Sequence, residues 1–171
     1  MKGRIQVYTG DGKGKTTAAF GLALRAAGNG MKSYIGQFMK GARYGEVKYL
    51  ERVKEIDVEQ FGWEDCIRKE DVTEFHKERT SEGLKTAYEI VSSKKYDIVI
   101  LDEILVAVWF GLIEESKVVE FLNWHPRDSE LILTGRKATV KIIEISDLTT
   151  EMKCVKHYYD KGVMARKGIE L

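Results

Sequence analysis

Residues Val7–Gly21 read VYTGDGKGKTTAAFG, an apolar run followed by glycines at 10, 12 and 14, then Lys15-Thr16-Thr17 and an alanine-rich stretch. Strand, glycine-rich loop and helix start form the context in which successive backbone N–H groups and a helix N-terminus converge on an anion. There Lys15 is expected to contact phosphate oxygens and the Thr16 hydroxyl to ligate Mg²⁺, while Gly10, Gly12 and Gly14 let the backbone approach without Cβ clashes. An ordinary glycine turn is the competing reading, and the placement between strand and helix disfavours it. Counting back by G-x-x-x-x-G-K-[ST] puts Thr9, not glycine, at the first position, and the loop itself carries Asp11 and Lys13. This irregularity leaves open how a nucleotide lies in the loop and which of its atoms is attacked.

Outward from the loop, short β-rich runs alternate with helical segments: RIQVY, TTAAFGLALRAAG, SYIGQF, EVKYLERVK and IDVEQF. A helix-like stretch from Asp71 to Lys94 follows, then the strand DIVIL, a helix around Val106 to Leu122, and the strand ELILT after the sole proline, Pro126. The first helix is expected to open at Thr16 and to stop at Gly28-Asn29-Gly30. Continuous apolar strands such as Ile98 to Leu101 are what a parallel sheet covered on both faces requires. The expected fold is therefore three-layer α/β with a mostly parallel central sheet, residues 1–171 forming a single domain.

Charge narrows the partners. With 28 basic and 27 acidic side chains the net charge is +1, so no global positive field argues for nucleic acid. Cys66 and Cys154 are isolated, without zinc-binding spacing, and read as reduced thiols of a cytoplasmic protein. The longest apolar run is broken by Asp102 and Glu103, and no export signal or membrane span is expected.

That same run delivers Asp102 and Glu103 to the sheet edge where strands meet ligands. One or both are expected to complete the Mg²⁺ shell with Thr16, against the alternatives of a solvated helix start or, for Glu103, the general base of an ATPase. Arg136, in LTGRK after the fifth strand, emerges at the same edge as a possible anion contact or a surface arginine. QFMKG, ending the second strand, opens a basic segment with Lys40 and Arg43. In QFGWED, Phe61 and Trp63 alternate around a glycine, so that both rings point one way into a cleft or simply pack in the interior. His76, His125 and His157 are scattered and read as structural or surface residues. Tyr158-Tyr159 with nearby lysines imitates a nucleic-acid stacking patch, which the balanced charge argues against.

Taken in order, YTGDGKGKTTAAFGLALRAAGNG, QFMKG, ILDE, LTGR and TTEMKCVKHYYDKGVMARKGIEL resemble the P-loop type of ATP:corrinoid adenosyltransferase across nearly the whole chain. The resemblance implies a mostly parallel α/β fold, usually homodimeric, binding ATP and Mg²⁺ and acting on a reduced corrinoid: cobalamin, cobinamide or cobyrinic acid a,c-diamide. It implies that ATP lies reversed relative to most P-loop proteins, so that the ribose C5′ carbon is attacked by Co(I). Carried over by position, Thr9, Gly10, Asp11, Gly12, Lys13, Gly14, Lys15, Thr16 and Thr17 hold the triphosphate. Thr16 with Glu103 holds Mg²⁺, and Asp102 stands behind them. An electron donor such as a reduced flavoprotein is implied as partner. Phe61 and Trp63 match an aromatic FTW segment beside the corrinoid's lower face, with Gly62 in place of threonine. An N-terminal extension carried by some relatives is not expected here. The competing function is a P-loop ATPase or kinase using Glu103 or Asp102 to activate water or a hydroxyl.

Overall fold

Residues 2–65 and 67–170 are described by the structure, a computed structural model. Cys66 lies outside the described residues; Cys154 is an exposed free thiol.

Six strands form one sheet: β1 (Ile5–Thr9), β2 (Ser33–Gln37), β3 (Ile56–Gln60), β4 (Ile98–Asp102), β5 (Glu130–Thr134) and β6 (Leu148–Glu151). Every neighbouring pair is parallel, in the order β3-β2-β4-β5-β1-β6. The helices are α1 (Lys15–Ala27), α2 (Gly45–Leu50), α3 (Glu74–Ser93), α4 (Ile104–Trp109), α5 (Glu115–Trp124) and α6 (Val140–Ile145).

Alternation along the strands makes the three layers. Ile98 and Ile100 of β4, Ile35 of β2 and Ile132 of β5 join one core with Ala19, Phe20, Ala23 and Ala26 of α1. Their neighbours Val99, Leu101, Tyr34, Leu131 and Leu133 face the opposite core, with Leu84, Ala87 and Val91 of α3 and Val118, Phe121 and Leu122 of α5. A strand buried on both faces has no polar alternation to show, which is why β4 reads as an unbroken apolar run.

Two sequence expectations are corrected, and one strand went unforeseen. The helix foreseen over Val106–Leu122 is two helices, α4 and α5, parted by Gly111 with φ +72°. Helix α1 opens at Lys15 rather than Thr16; it stops at Gly28-Asn29-Gly30 as expected, Gly28 keeping a right-handed φ of −61° and the left-handed turn falling on Gly30 at φ +74°. Strand β6 was not foreseen at all: Leu148–Glu151 is short and exposed, and pairs only with β1. Among the described residues no helix is long and apolar enough to cross a membrane.

Candidate functional site

The loop between β1 and α1 lies at the C-terminal edge of the sheet, where open parallel sheets take their ligands. Gly14 ends it at φ +116°, a conformation that side chains rarely adopt. Gly10 and Gly12 answer first to the protein itself: Gly12 N–H donates to Met152 O at 2.7 Å, and a Cβ at Gly10 or Gly12 would stand 2.4 or 2.6 Å from that oxygen. The chain leaving β6 is thus packed against the loop. Lys15 folds back over it, its buried ammonium donating to Gly10 O and Gly12 O at 2.7 Å each. Burial lowers the Lys15 pKa against the pull of Glu103.

Two strands away from β1, across β5, β4 ends in Asp102. This fully buried carboxylate takes three donors: Oδ1 accepts from Thr134 Oγ1 at 2.7 Å, and Oδ2 from Gln37 Nε2 at 3.0 Å and Lys40 Nζ at 3.1 Å. Lys40 Nζ also donates to Thr16 Oγ1 at 3.3 Å. Burial disfavours the Lys40 ammonium, but Asp102 and Glu103 beside it prevail and raise its pKa. Glu103 begins α4 at φ +63°, and its backbone N–H donates to Thr134 Oγ1 at 2.9 Å. Thr134, on the strand between, therefore braces both acidic residues. No hydrogen bond to the Glu103 carboxylate is found among the described residues. Burial and then the Asp102 charge push its pKa up, opposed by Lys40, Lys15 and Arg136.

These groups fit a hard divalent cation. Thr16 Oγ1 and an Asp102 oxygen already converge on one positive charge, the Lys40 ammonium, with the Glu103 carboxylate alongside, and all the donors are oxygens. Among the described residues no group of three or more His, Cys, Asp or Glu side chains makes a metal cage, so phosphate and water oxygens would have to complete the shell.

The open space here is a cleft of about 720 Å³ lined by Asp11–Thr17, Phe20, Lys40, Glu103, Arg136 and parts of the C-terminal segment. Thr9 and Gly10 are not in its wall. The Thr9 hydroxyl instead accepts from Ala138 N–H at 3.2 Å and braces the loop. Asp11 pairs with Lys137 at 3.3 Å and Arg136 at 3.9 Å. Lys13 turns away from Lys15 to the C-terminal segment, donating to Glu170 at 2.7 Å and to Tyr158 Oη and Ile169 O at 3.1 Å each. Arg166, Lys13 and Tyr158 together hold the Glu170 carboxyl far below the usual range. His157, read above as structural or surface, sits in the cleft wall with Glu170.

The aromatic pair separates. Phe61 is 2% exposed and packs with Phe38, ring centroids 5.8 Å apart, in the interior beneath α3. Trp63 is only half-buried and lies on His76 at 4.3 Å. His76 Nδ1 accepts from Thr73 N–H and so also caps α3. Trp63 Nε1 is buried without a partner among the described residues. Between the two rings, a Cβ on Gly62 would lie 2.1 Å from Lys40 N, and Trp63 O accepts from Gly41 N–H at 2.8 Å. The segment carrying Trp63 is thereby locked to the segment carrying Lys40.

Comparison with known proteins follows this geometry. A sequence model of the family described as ATP:corrinoid adenosyltransferase BtuR/CobO/CobP matches residues 1–171. The corrinoid adenosyltransferase of Pseudomonas aeruginosa is 34% identical, covering 99% of this chain and 84% of that protein. That of a Sinorhizobium species is 37% identical over 99% and 80%, and that of Escherichia coli K12 is 36% identical over 99% and 86%. Matched from end to end, with its glycine-rich loop and paired acidic residues at one sheet edge, the chain belongs to the ATP:corrinoid adenosyltransferase family.

Proposed function

We propose that this chain transfers the 5′-deoxyadenosyl group of ATP to the Co(I) centre of a corrinoid. The observation that carries the reading is the family match over residues 1–171. In the reaction the cobalt electron pair forms the bond to C5′, the C5′–O bond breaks, and its electron pair departs on inorganic triphosphate. Cobalt ends formally as Co(III). Co(I) is itself a strong nucleophile, so no catalytic base is called for; the work is alignment of cobalt, C5′ and leaving oxygen.

The leaving triphosphate gathers negative charge, and preorganised cations and N–H groups aimed at such charge are usually a large catalytic term. Lys15, Arg136 and the loop amides from Asp11 to Thr17 serve here, in a cleft they already line. Lys15 would leave Gly10 O and Gly12 O for phosphate oxygens. Thr16 and Glu103 would hold Mg²⁺, which when bound neutralises part of the triphosphate charge; Asp102, hydrogen-bonded by Thr134, Gln37 and Lys40, positions Thr134 and Lys40. Trp63 stands on the corrinoid side, whereas Phe61, buried against Phe38, serves the interior. The corrinoid is cobalamin, cobinamide or cobyrinic acid a,c-diamide. A reduced flavoprotein as electron donor, a homodimer and a cytoplasmic setting complete the reading and rest on the resemblance.

Incubation with ATP, Mg²⁺ and chemically reduced cobalamin tests it. A light-sensitive carbon–cobalt product and stoichiometric triphosphate are expected. ADP and phosphate released without corrinoid would replace this reading with the ATPase one.

A further inference from the structure

Lys40 is delivered to its place by a backbone shaped for it. Met39 adopts φ +62°, a region that non-glycine residues seldom occupy, and Gly62 allows a backbone approach that any side chain would block, its Cβ falling 2.1 Å from Lys40 N. The side chain, 22% exposed, ends on two oxygens at once: Asp102 Oδ2 at 3.1 Å and Thr16 Oγ1 at 3.3 Å. Thr16 Oγ1 is the oxygen that a phosphate loop offers to a divalent cation. An ammonium bonded to that hydroxyl takes one of its two acceptor lone pairs and holds a full positive charge 3.3 Å from the oxygen that a divalent cation would ligate. Two cations sharing one hydroxyl oxygen on the cleft side would also repel each other.

We propose that Lys40 is a tethered competitor of the divalent cation, its ammonium holding the Thr16 side of the metal position until a triphosphate draws it away. The amine stays within reach of the cleft, which it lines, so a phosphate oxygen can accept it as the metal takes over Thr16. Metal loading and triphosphate binding become one coupled event, and binding of metal before nucleotide is suppressed. Lys40 is thus a positioning residue for the metal, an inference that rests on reading Thr16 and Glu103 as the metal-holding pair.

The test uses Mn²⁺ as probe, followed by electron paramagnetic resonance of the free ion, with no nucleotide and no corrinoid present. Lys40→Met and Lys40→Gln should each bind Mn²⁺ at least about fivefold more tightly than the parent, since removing a unit charge roughly 4 Å away has that effect even in water-like dielectric. Lys40→Arg, which keeps the charge, should stay near the parent value. Lys40→Gln retains a donor for Asp102 and serves should the methionine variant fold poorly, which thermal melts will show. Unchanged or weaker Mn²⁺ binding in a folded neutral variant, tightening in Lys40→Arg as well, or no binding by any of the proteins overturns the proposal. Because neither ATP nor corrinoid enters the assay, its outcome is separate from whether the chain transfers an adenosyl group.

Discussion

Asp102 and Glu103 are adjacent in the chain and opposite in circumstance. Asp102 is enclosed and takes hydrogen bonds from Thr134, Gln37 and Lys40, whereas Glu103 borders the cleft. Asp102→Asn should therefore act on stability, lowering it by about 2 kcal/mol through loss of a charged hydrogen-bond acceptor. Glu103→Gln should leave the melting curve nearly unchanged and raise the Mg²⁺ concentration for half-maximal activity about tenfold or more. Melts and Mg²⁺ titrations of both variants decide it; the reverse pattern would assign the metal to Asp102. At Trp63 the expectation concerns substrate state: Trp63→Ala should spare activity on pre-reduced Co(I) more than activity starting from Co(II). Equal losses in the two assays would remove Trp63 from the corrinoid side. Nothing in the spacing of Asp102 and Glu103 distinguishes them, because the donors that occupy Asp102 come from β2, the segment after it, and β5.

Strand β4 was legible because a run covered on both faces, Ile98 to Leu101, is apolar throughout, β5 by its apolar Leu131 to Leu133, and β1 by its place before the glycine-rich loop. β6 was not, since an exposed edge strand of four residues, Leu148–Glu151, leaves no apolar trace. Yet β6 matters to the site: its continuation carries Met152, whose carbonyl receives Gly12 N–H. The connection after β3 is equally exacting. A Cβ on Gly62 would meet Lys40 N at 2.1 Å, whereas a Cβ on Gly21, within α1, would meet nothing within 4 Å. Gly62→Ala should consequently cost about 3 kcal/mol and disturb the Lys40 segment, while Gly21→Ala should stabilise by roughly 0.5–1 kcal/mol through helix propensity. Denaturant melts of the two variants check this pair, and a harmless Gly62→Ala would refute the close packing of the two connections.

In the molecule as a whole, one titratable group lies at the end of the sheet away from the candidate site. His125 lies between α5 and the start of β5 and is 4% exposed, far along the sheet from the Thr134 end that braces the acidic pair. Its Nδ1 accepts from Arg127 N–H at 3.3 Å, a bond open only to the neutral ring. Burial, aided by Arg127, pushes its pKa down to about 4 from 6.5. The unfolded chain thus binds more protons between those values, so this contribution is complete above pH 6.5 and is lost as pH falls toward 4, about 3 kcal/mol in all. Urea midpoints should fall over that window in the parent and fall less in His125→Gln; identical slopes would exclude His125 as the source. By itself the sequence determined the glycine-rich loop between strand and helix, the strand that ends in two acids and a sheet covered on both faces, since each is written in consecutive residues obeying local rules. Only the tertiary structure decided that Asp102 is occupied and Glu103 is not, that Gly10 and Gly12 make room for Met152, and that Lys13 is held by Glu170. Those partners stand tens of residues or more apart in the chain, and spacing along a sequence carries no record of which distant groups folding brings within hydrogen-bond reach.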